Sequence, residues 1–245
     1  MKRLLVLLLL GLPLASLAAD YQSTLLVQTG KLRESDLVVR TVTDLESNRI
    51  CLAFYVRTTG TSPVMSCYDA VSGFRSRISQ VGHFKEDKLI VRKLKDTDNN
   101  VSCLVAYVST AGTSPAINCY QSKASAKDSI VRGGHLREGD LDVYSILDTN
   151  STKTCLIAYV GTGGVSPSLT CYNSNSHSNS GFKDGGTGLV QNSHMQEGDL
   201  IVRKIVDNTN GKECLISYVS TVGTSPHIYC ADERSGQRPR AAAAP

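Results

Sequence analysis

The sequence predicts an all-β protein made of four tandem copies of one repeat of about 52 residues, with about four antiparallel strands in each copy. The first cysteine of each copy recurs at a near-constant spacing, and a second cysteine follows 16 positions after it in every copy. Val, Ile, Thr, Ser and Tyr recur between Gly and Pro residues, which is typical of short strands joined by turns. The fold class is therefore predicted from periodicity and composition together.

The strands of each copy are predicted from the alternation of apolar and polar side chains. In the first copy one strand runs from Leu37 to Asp44, a second contains the Cys-Leu-x-x-Tyr-Val segment, and a third follows the Thr-Ser-Pro turn. A weaker strand precedes each copy, at 24–28, 77–81, 129–132 and 187–191. The Cys-Leu-x-x-Tyr-Val strand is apolar on both faces and must be covered on both sides, so the copies are expected to pack on one another.

Radial packing of four such sheets predicts a four-bladed β-propeller, in which the first weak strand completes the last blade and closes the ring. Two arrangements remain open beside it. One is a pair of β-sandwiches of two copies each, and the other is an extended row of repeats.

The N-terminus is typical of a secretory signal peptide spanning 1–19, with Lys2 and Arg3 before an apolar run and small residues at its end. That run is too short to span a bilayer comfortably. We expect a single repeat domain over 20–231 and a disordered tail over 232–245. The copies within the domain are 21–70, 71–122, 123–173 and 187–231, with a polar insertion at 174–186. The predicted location is secreted or periplasmic, without a lipid anchor or an integral membrane segment.

Eight cysteines in an exported chain predict a disulfide framework. If the two cysteines of a copy lie opposite each other in a hairpin, Ala53 faces Met65 and the equivalent apolar residues also meet in the other copies. A directly opposed pair in an antiparallel ladder is close enough for a bridge. The predicted bridges are Cys51–Cys67, Cys103–Cys119, Cys155–Cys171 and Cys214–Cys230.

The charge balance argues against two classes of partner. The formal net charge is +4, and Lys2 and Arg3 of the predicted signal peptide supply two of these charges. Neither a nucleic-acid footprint nor a polybasic membrane patch is present in the sequence.

The residues that suggest catalysis are repeated, whereas a catalytic site usually needs a unique constellation. A serine precedes a proline in each copy, which is turn chemistry, and an aspartate ends the strand that follows the weak one. The serines are Ser62, Ser114, Ser166 and Ser225, and the aspartates are Asp44, Asp96, Asp148 and Asp207. The aspartates are expected to cap turns, and no catalytic residue or organic cofactor is predicted.

Three histidines occupy equivalent positions, His83, His135 and His194, with Lys31 in the first copy. In a closed ring they would lie on one circle about the axis and could hold a metal ion. The spacing of known histidine and cysteine metal motifs is missing, so exposed loop positions are the competing interpretation.

Repeat proteins often place function where the repeats differ. Four such positions are candidates for a partner surface: Arg57, Tyr144, His177 and His227. The leading hypothesis is a non-catalytic binding or scaffold module for an envelope or extracellular protein or for a polysaccharide. The alternatives are an envelope hydrolase with a site at the mouth of the ring and a metal-binding protein that uses the equivalent histidines.

Overall fold

The computed structural model describes residues 26–71, 73, 75–122, 130–174, 188–221 and 223–231. These residues form sixteen strands and no helix. The strands are arranged in four antiparallel sheets, one for each copy, and within each sheet neighbouring strands follow one another along the chain. The all-β fold with four strands per copy is therefore confirmed. We number the sheets 1 to 4 in chain order and call the contact between neighbouring sheets a junction.

The strands have nearly the same lengths in every copy. Sheet 1 contains β1 (Leu26–Glu34), β2 (Leu37–Asp44), β3 (Arg49–Val56) and β4 (Val64–Asp69). Sheet 2 contains β5 (Ile78–Glu86), β6 (Leu89–Asp96), β7 (Val101–Val108) and β8 (Ala116–Gln121). Sheet 3 contains β9 (Ile130–Glu138), β10 (Leu141–Asp148), β11 (Lys153–Val160) and β12 (Ser168–Asn173). Sheet 4 contains β13 (Leu189–Glu197), β14 (Leu200–Asp207), β15 (Lys212–Val219) and β16 (His227–Cys230).

The first strand of each copy extends well beyond the predicted weak strand. β1 pairs with β2 as far as Glu34, but the register shifts between Gln28 and Gly30. Equivalent shifts occur in β5, β9 and β13. A bulge of this kind inserts one extra residue and changes which face the following side chains point to. The alternation that marks a strand is therefore broken halfway along it.

The four predicted disulfides are present, with 16 positions between the cysteines of each pair. Each bridge joins the second of the two middle strands to the last strand of its sheet, and the Cα atoms of Cys51 and Cys67 are 4.0 Å apart. The predicted register is also confirmed, since Ala53 lies opposite Met65 and Val105 opposite Ile117. Each bridge therefore fastens one edge of its own sheet.

The four sheets are stacked face to face in chain order. At the first junction β1 lies against β5 and β4 against β8, and the same pairing of edge strands continues to sheet 4. Three apolar clusters fill the three junctions. Leu52 and Phe54 belong to the first cluster, Tyr144 and Ile157 to the second, and Ile216 to the third. Each sheet thus shares its core with its neighbours in the chain.

The stack does not close into the predicted ring. β1 pairs with β2 at the edge of its own sheet, so it does not complete the last one. Propeller blades are arranged around a central channel, whereas here both edges of each sheet contact the next sheet. Among the residues that the structure describes, no apolar cluster joins sheet 4 to sheet 1. The second junction also excludes two separate sandwiches, so the arrangement is the extended row of repeats.

Burial follows from this arrangement. Strands β6, β7 and β10 of the two inner sheets are buried at every position. The equivalent strand of sheet 4, β14, has only three buried residues, and β13 is almost wholly exposed. In the described part of the chain, the stack therefore ends in two sheet faces that no other sheet covers.

Polar contacts connect the sheets at each junction. At the second junction Lys93 Nζ donates to Asp148 Oδ1 at 2.6 Å, and both side chains are at least 99% buried. The Tyr120 hydroxyl donates to the other oxygen of Asp148 at 2.8 Å. Equivalent tyrosine-to-aspartate bonds run from Tyr68 to Asp96 and from Tyr172 to Asp207. All four strand-ending aspartates cap turns as predicted, and those of sheets 2 to 4 also accept a bond from the preceding sheet.

Candidate interaction surfaces at the two ends of the stack

The outward face of sheet 4 has the composition of an interior contact face but is uncovered. We call it the fourth-sheet face; its residues are Leu200, Val202, Lys204, Val206, Glu213, Leu215, Ser217, Val219, His227, Tyr229 and Ala231. Leu200 is 41% exposed and Leu215 46%, whereas the equivalent Leu89 and Leu104 of sheet 2 are fully buried. The same apolar pattern therefore meets a sheet in the interior and solvent at this end.

A pocket lies on the fourth-sheet face. Its lining residues are Lys204, Glu213, Cys214, Leu215, Tyr229 and Ala231, and its volume is about 220 Å³. Ala231 stands where the other copies have Tyr68, Tyr120 and Tyr172. The smaller side chain leaves open the space that a tyrosine ring fills at the interior junctions.

The outward face of sheet 1 is the complementary end. We call it the first-sheet face; its residues that are not buried are Arg40, Val42, Asp44, Arg49, Cys51, Ala53, Tyr55, Met65 and Cys67. Met65 is 59% exposed. The equivalents of Val42 and Ala53 in sheet 2, Leu94 and Val105, are at most 1% exposed because sheet 1 covers them. This end therefore offers the other half of an interior junction.

Both faces carry ordered charges. On the fourth-sheet face Lys204 Nζ is 2.8 Å from Glu213 Oε2. On the first-sheet face Arg40 donates to the Gln28 side chain at 2.7 Å. A hydrogen bond from the Ser47 hydroxyl holds the pKa of Asp44 below its usual value, with further help from backbone N–H groups. Asp44 is therefore a carboxylate at neutral pH.

No protein-family model, curated protein or solved structure matches the chain. In the part of the chain that the structure describes, no helix is long and apolar enough to cross a membrane.

The three equivalent histidines lie on strands of successive sheets, β5, β9 and β13, not in loops. His83 is opposite Arg92 in the ladder, His135 opposite Tyr144 and His194 opposite Arg203. Burial, with the positive charges of Arg92 and Lys85, lowers the pKa of His83. Within the described ranges no three His, Cys, Asp or Glu side chains are grouped so that they could hold a metal ion.

His135 takes part in contacts that the other two histidines do not share. Its ring stacks on Tyr144 with 4.2 Å between centroids. Its Nε2 lies 2.8 Å from Asp142 Oδ1, and Arg137 approaches the second oxygen of that carboxylate at 3.6 Å. Tyr144 replaces the arginine of the other copies, so this cluster is where sheet 3 departs most from the repeat.

The candidate partner-surface residues lie in different places. Tyr144 is fully buried at the second junction, so the expectation that it belongs to a partner surface is wrong. Arg57 is exposed just after β3, and its N–H donates to the Asp36 carbonyl. His227 is exposed on the fourth-sheet face. His177 lies outside the described residues.

The sequence did not indicate the residues that dominate the end faces, such as Leu215 and Glu213. They match the repeat pattern, and only their position in the last copy exposes them. One signal was present, because Ala231 interrupts a column of tyrosines at the same end.

The repeated serines connect neighbouring sheets as well as shaping their own turns. The Ser62 N–H donates to the Ser114 hydroxyl at 2.9 Å, and the Ser114 N–H donates to Ser166 at 2.7 Å. The Ser166 N–H continues the series to Ser225 at 3.1 Å. A glutamate also ends the first strand of every sheet, and that of sheet 2, Glu86, pairs with Arg132 of the next sheet at 2.7 Å. These groups therefore make contacts that hold the stack together.

Buried tyrosines should make the folded stack less stable at alkaline pH. Burial raises the pKa of Tyr107 to about 12, with the hydrogen bond from Arg92 opposing the shift. Burial and the Asp96 carboxylate raise the pKa of Tyr68, and burial and Asp207 raise that of Tyr172. An unfolded tyrosine titrates near pH 10. Between about pH 10 and 12 the unfolded chain therefore releases protons that the folded chain keeps.

We expect the free energy of unfolding to be independent of these tyrosines below about pH 10 and to fall as the pH rises above it. Urea unfolding followed by circular dichroism at a series of pH values measures the fall. Tyr107→Phe removes one contribution and should make the fall shallower. A fall of the same steepness in the wild type and in Tyr107→Phe would contradict the assignment.

Proposed function

We propose that the protein is an exported, non-catalytic binding or scaffold module that engages another envelope or extracellular macromolecule through the ends of its stack. The observation that carries this proposal is the fourth-sheet face, where Leu215 and Tyr229 line an open pocket and are 46% and 62% exposed, and Leu200 is 41% exposed on the same face. A contiguous apolar patch with a polar rim is typical of an interaction site.

Three further features support the proposal. Four disulfides are typical of an oxidising compartment, which fits a secreted or periplasmic location. Intersheet hydrogen bonds and buried junctions make the stack a rigid platform that needs little ordering on binding. The near-neutral net charge favours a protein or polysaccharide partner over a nucleic acid. Among the residues that the structure describes, no observation of this kind favours the hydrolase or the metal-binding alternative.

Site-directed photo-crosslinking tests the proposal. A photoreactive amino acid is placed at Leu215 on the fourth-sheet face, and a matched control carries it at Val131, an apolar residue of inner sheet 3 that is 38% exposed. We expect ultraviolet irradiation in the native extracellular or envelope fraction to give a discrete adduct from Leu215 but not from Val131. If neither Leu215 nor Met65 on the first-sheet face gives an adduct with any macromolecule, the proposed function is wrong.

A further inference from the structure

The interior junctions share a small set of polar contacts. One of them, at the first and third junctions, uses the turn between the first two strands of a sheet; sheet 2 has Lys88 in place of the turn aspartate. Asp36 in the β1–β2 turn accepts a hydrogen bond from the Tyr107 hydroxyl of sheet 2 at 2.9 Å, and Arg92 lies 4.0 Å away. Asp140 in the β9–β10 turn accepts from Tyr218 of sheet 4 at 3.3 Å. The turn aspartate of one sheet thus receives a tyrosine, with an arginine beside it, from the next sheet.

The two ends of the stack hold the separate halves of this contact. The turn aspartate of sheet 4 is Asp199, which is exposed and has no following sheet. The equivalents of Tyr107 and Arg92 in sheet 1 are Tyr55 and Arg40 on the first-sheet face. Arg40 is held by Gln28 in the same way as Arg92 is held by Gln80, at 2.7 Å and 2.5 Å. In the half that would donate to the aspartate, the arginine is therefore held in place before any partner arrives.

A second contact is divided between the ends in the same way. Lys93 of sheet 2 bonds to Asp148 of sheet 3 at the second junction. The equivalent lysine of sheet 4 is Lys204 on the fourth-sheet face, and the equivalent aspartate of sheet 1 is Asp44 on the first-sheet face. Sheets 1 and 3 carry Thr41 and Ser145 at the lysine position. The last sheet therefore presents a cation that matches a carboxylate of the first sheet.

The pocket beside Ala231 offers space for a third side chain of sheet 1. Lys212 of sheet 4 lies over the Tyr172 ring of sheet 3, 5.9 Å from its centroid. The equivalent of Lys212 in sheet 1 is Arg49, whose side chain is 57% exposed. Stacking sheet 1 on the fourth-sheet face would bring the Arg49 guanidinium to the position beside Ala231, where the pocket is open and Glu213 lines it. A cation thus fills the space that the missing tyrosine leaves and meets a carboxylate there.

The serine series also ends with both halves exposed. In the first three sheets, the serine N–H donates to the hydroxyl of the serine in the next sheet. Ser225 of sheet 4 has no later sheet for its N–H, and Ser62 of sheet 1 has no earlier sheet for its hydroxyl. Both residues are exposed, so the series can continue from one stack to another.

We propose that a second copy of this chain docks its first-sheet face on the fourth-sheet face, so that copies stack head to tail. This inference rests on the proposed function, since it names the partner that the end faces take. Sheets 1 and 4 lie at opposite ends of the stack, so one chain cannot satisfy both of its own faces. The contact joins two different surfaces and leaves one of each free, which produces an open linear assembly.

A pair of charge reversals tests the inference. Lys204→Glu places a carboxylate opposite Asp44, and Asp44→Lys places an ammonium opposite Lys204. We expect each variant to associate at least about tenfold more weakly than the wild type in sedimentation velocity of the disulfide-intact chain. Mixing the two variants restores an attractive pair at every contact, so we expect an equimolar mixture to form linear assemblies as the wild type does.

Two further variants keep the test independent of folding. Leu215→Arg changes an exposed position of the fourth-sheet face and should abolish assembly, whereas Val131→Arg on inner sheet 3 should leave it unchanged. Circular dichroism checks that both variants fold. A wild-type chain that stays monomeric over about a hundredfold range of concentration overturns the inference. Assembly that survives Leu215→Arg also overturns it, because association would then use another surface.

The crosslinking experiment separates this inference from the proposed function. An adduct at Leu215 that joins two copies of the chain through residues of the first-sheet face supports both. An adduct with a different macromolecule, or with the 232–245 segment of the same chain, in a protein that stays monomeric overturns the inference. An adduct with a different macromolecule still supports the proposed function. The absence of any intermolecular adduct overturns both proposals.

Discussion

Asp148→Asn is expected to lower the free energy of unfolding by about 3–5 kcal/mol, because it removes a carboxylate from a buried ammonium group. The Lys93 and Asp148 side chains are 0% and 1% exposed, and their charged atoms are 2.6 Å apart. An amide keeps the size of the carboxyl group but cannot neutralise Lys93. Urea unfolding of the dilute, monomeric protein measures the loss.

The repeat supplies a matched control for this variant. Glu213→Gln removes the carboxylate beside Lys204, the equivalent of Lys93, but this pair is 32% and 56% exposed. We expect a change of at most about 1 kcal/mol. The Lys93→Met, Asp148→Asn double variant should recover part of the loss, since no buried cation then needs compensation. A double variant no more stable than Asp148→Asn would contradict the charge argument.

Loss of the sheet 3 disulfide, through Cys155→Ala with Cys171→Ala, is expected to lower the free energy of unfolding by at least about 3 kcal/mol. The bridge closes a loop with a sequence separation of 16, and its loss increases the conformational entropy of the unfolded chain. Cys155 is 1% exposed and belongs to the apolar cluster of the second junction. Its truncation therefore also leaves a cavity between the sheets.

The sheet 1 bridge separates the two effects. Cys51–Cys67 has the same sequence separation, but Cys67 is exposed on the first-sheet face. Cys51→Ala with Cys67→Ala should therefore cost about 3 kcal/mol from the loop, with little from packing. Thermal and urea unfolding of both double variants measure the difference. Equal losses would show that packing around the inner bridge contributes nothing.

The sequence predicted the parts of the fold that depend on residues near one another in a copy. The spacing of Cys51 and Cys67 determined the hairpin register and the disulfide, because only one register places both cysteines and their apolar neighbours together. The length of β1 was not predictable by alternation, since the bulge between Gln28 and Gly30 reverses the faces of all later residues.

The sequence did not predict how the sheets are oriented or which positions they cover. Ring and stack both cover the two faces of an inner sheet, so an apolar strand such as β7 fits either arrangement. They differ in the angle between neighbouring sheets, which no residue pattern in one copy encodes. Tyr144 illustrates the consequence: its replacement of an arginine favours a surface position, but the equivalent Arg92 is itself only 7% exposed. Which two sheet faces are uncovered could be identified only from the order of the sheets in the stack.

The junctions described above also allow the length of the stack to change with the number of copies. The interior contacts join one type of face to the other, as when Tyr68, Tyr120 and Tyr172 each reach the aspartate of the next sheet. Duplicating a copy in the gene would add one sheet and one junction while the two terminal faces stayed the same. Growth by gene duplication inside the chain and growth by addition of whole chains would thus use the same contact. The length of the stack would then increase in steps of one sheet, and its two end faces would stay the same at any length.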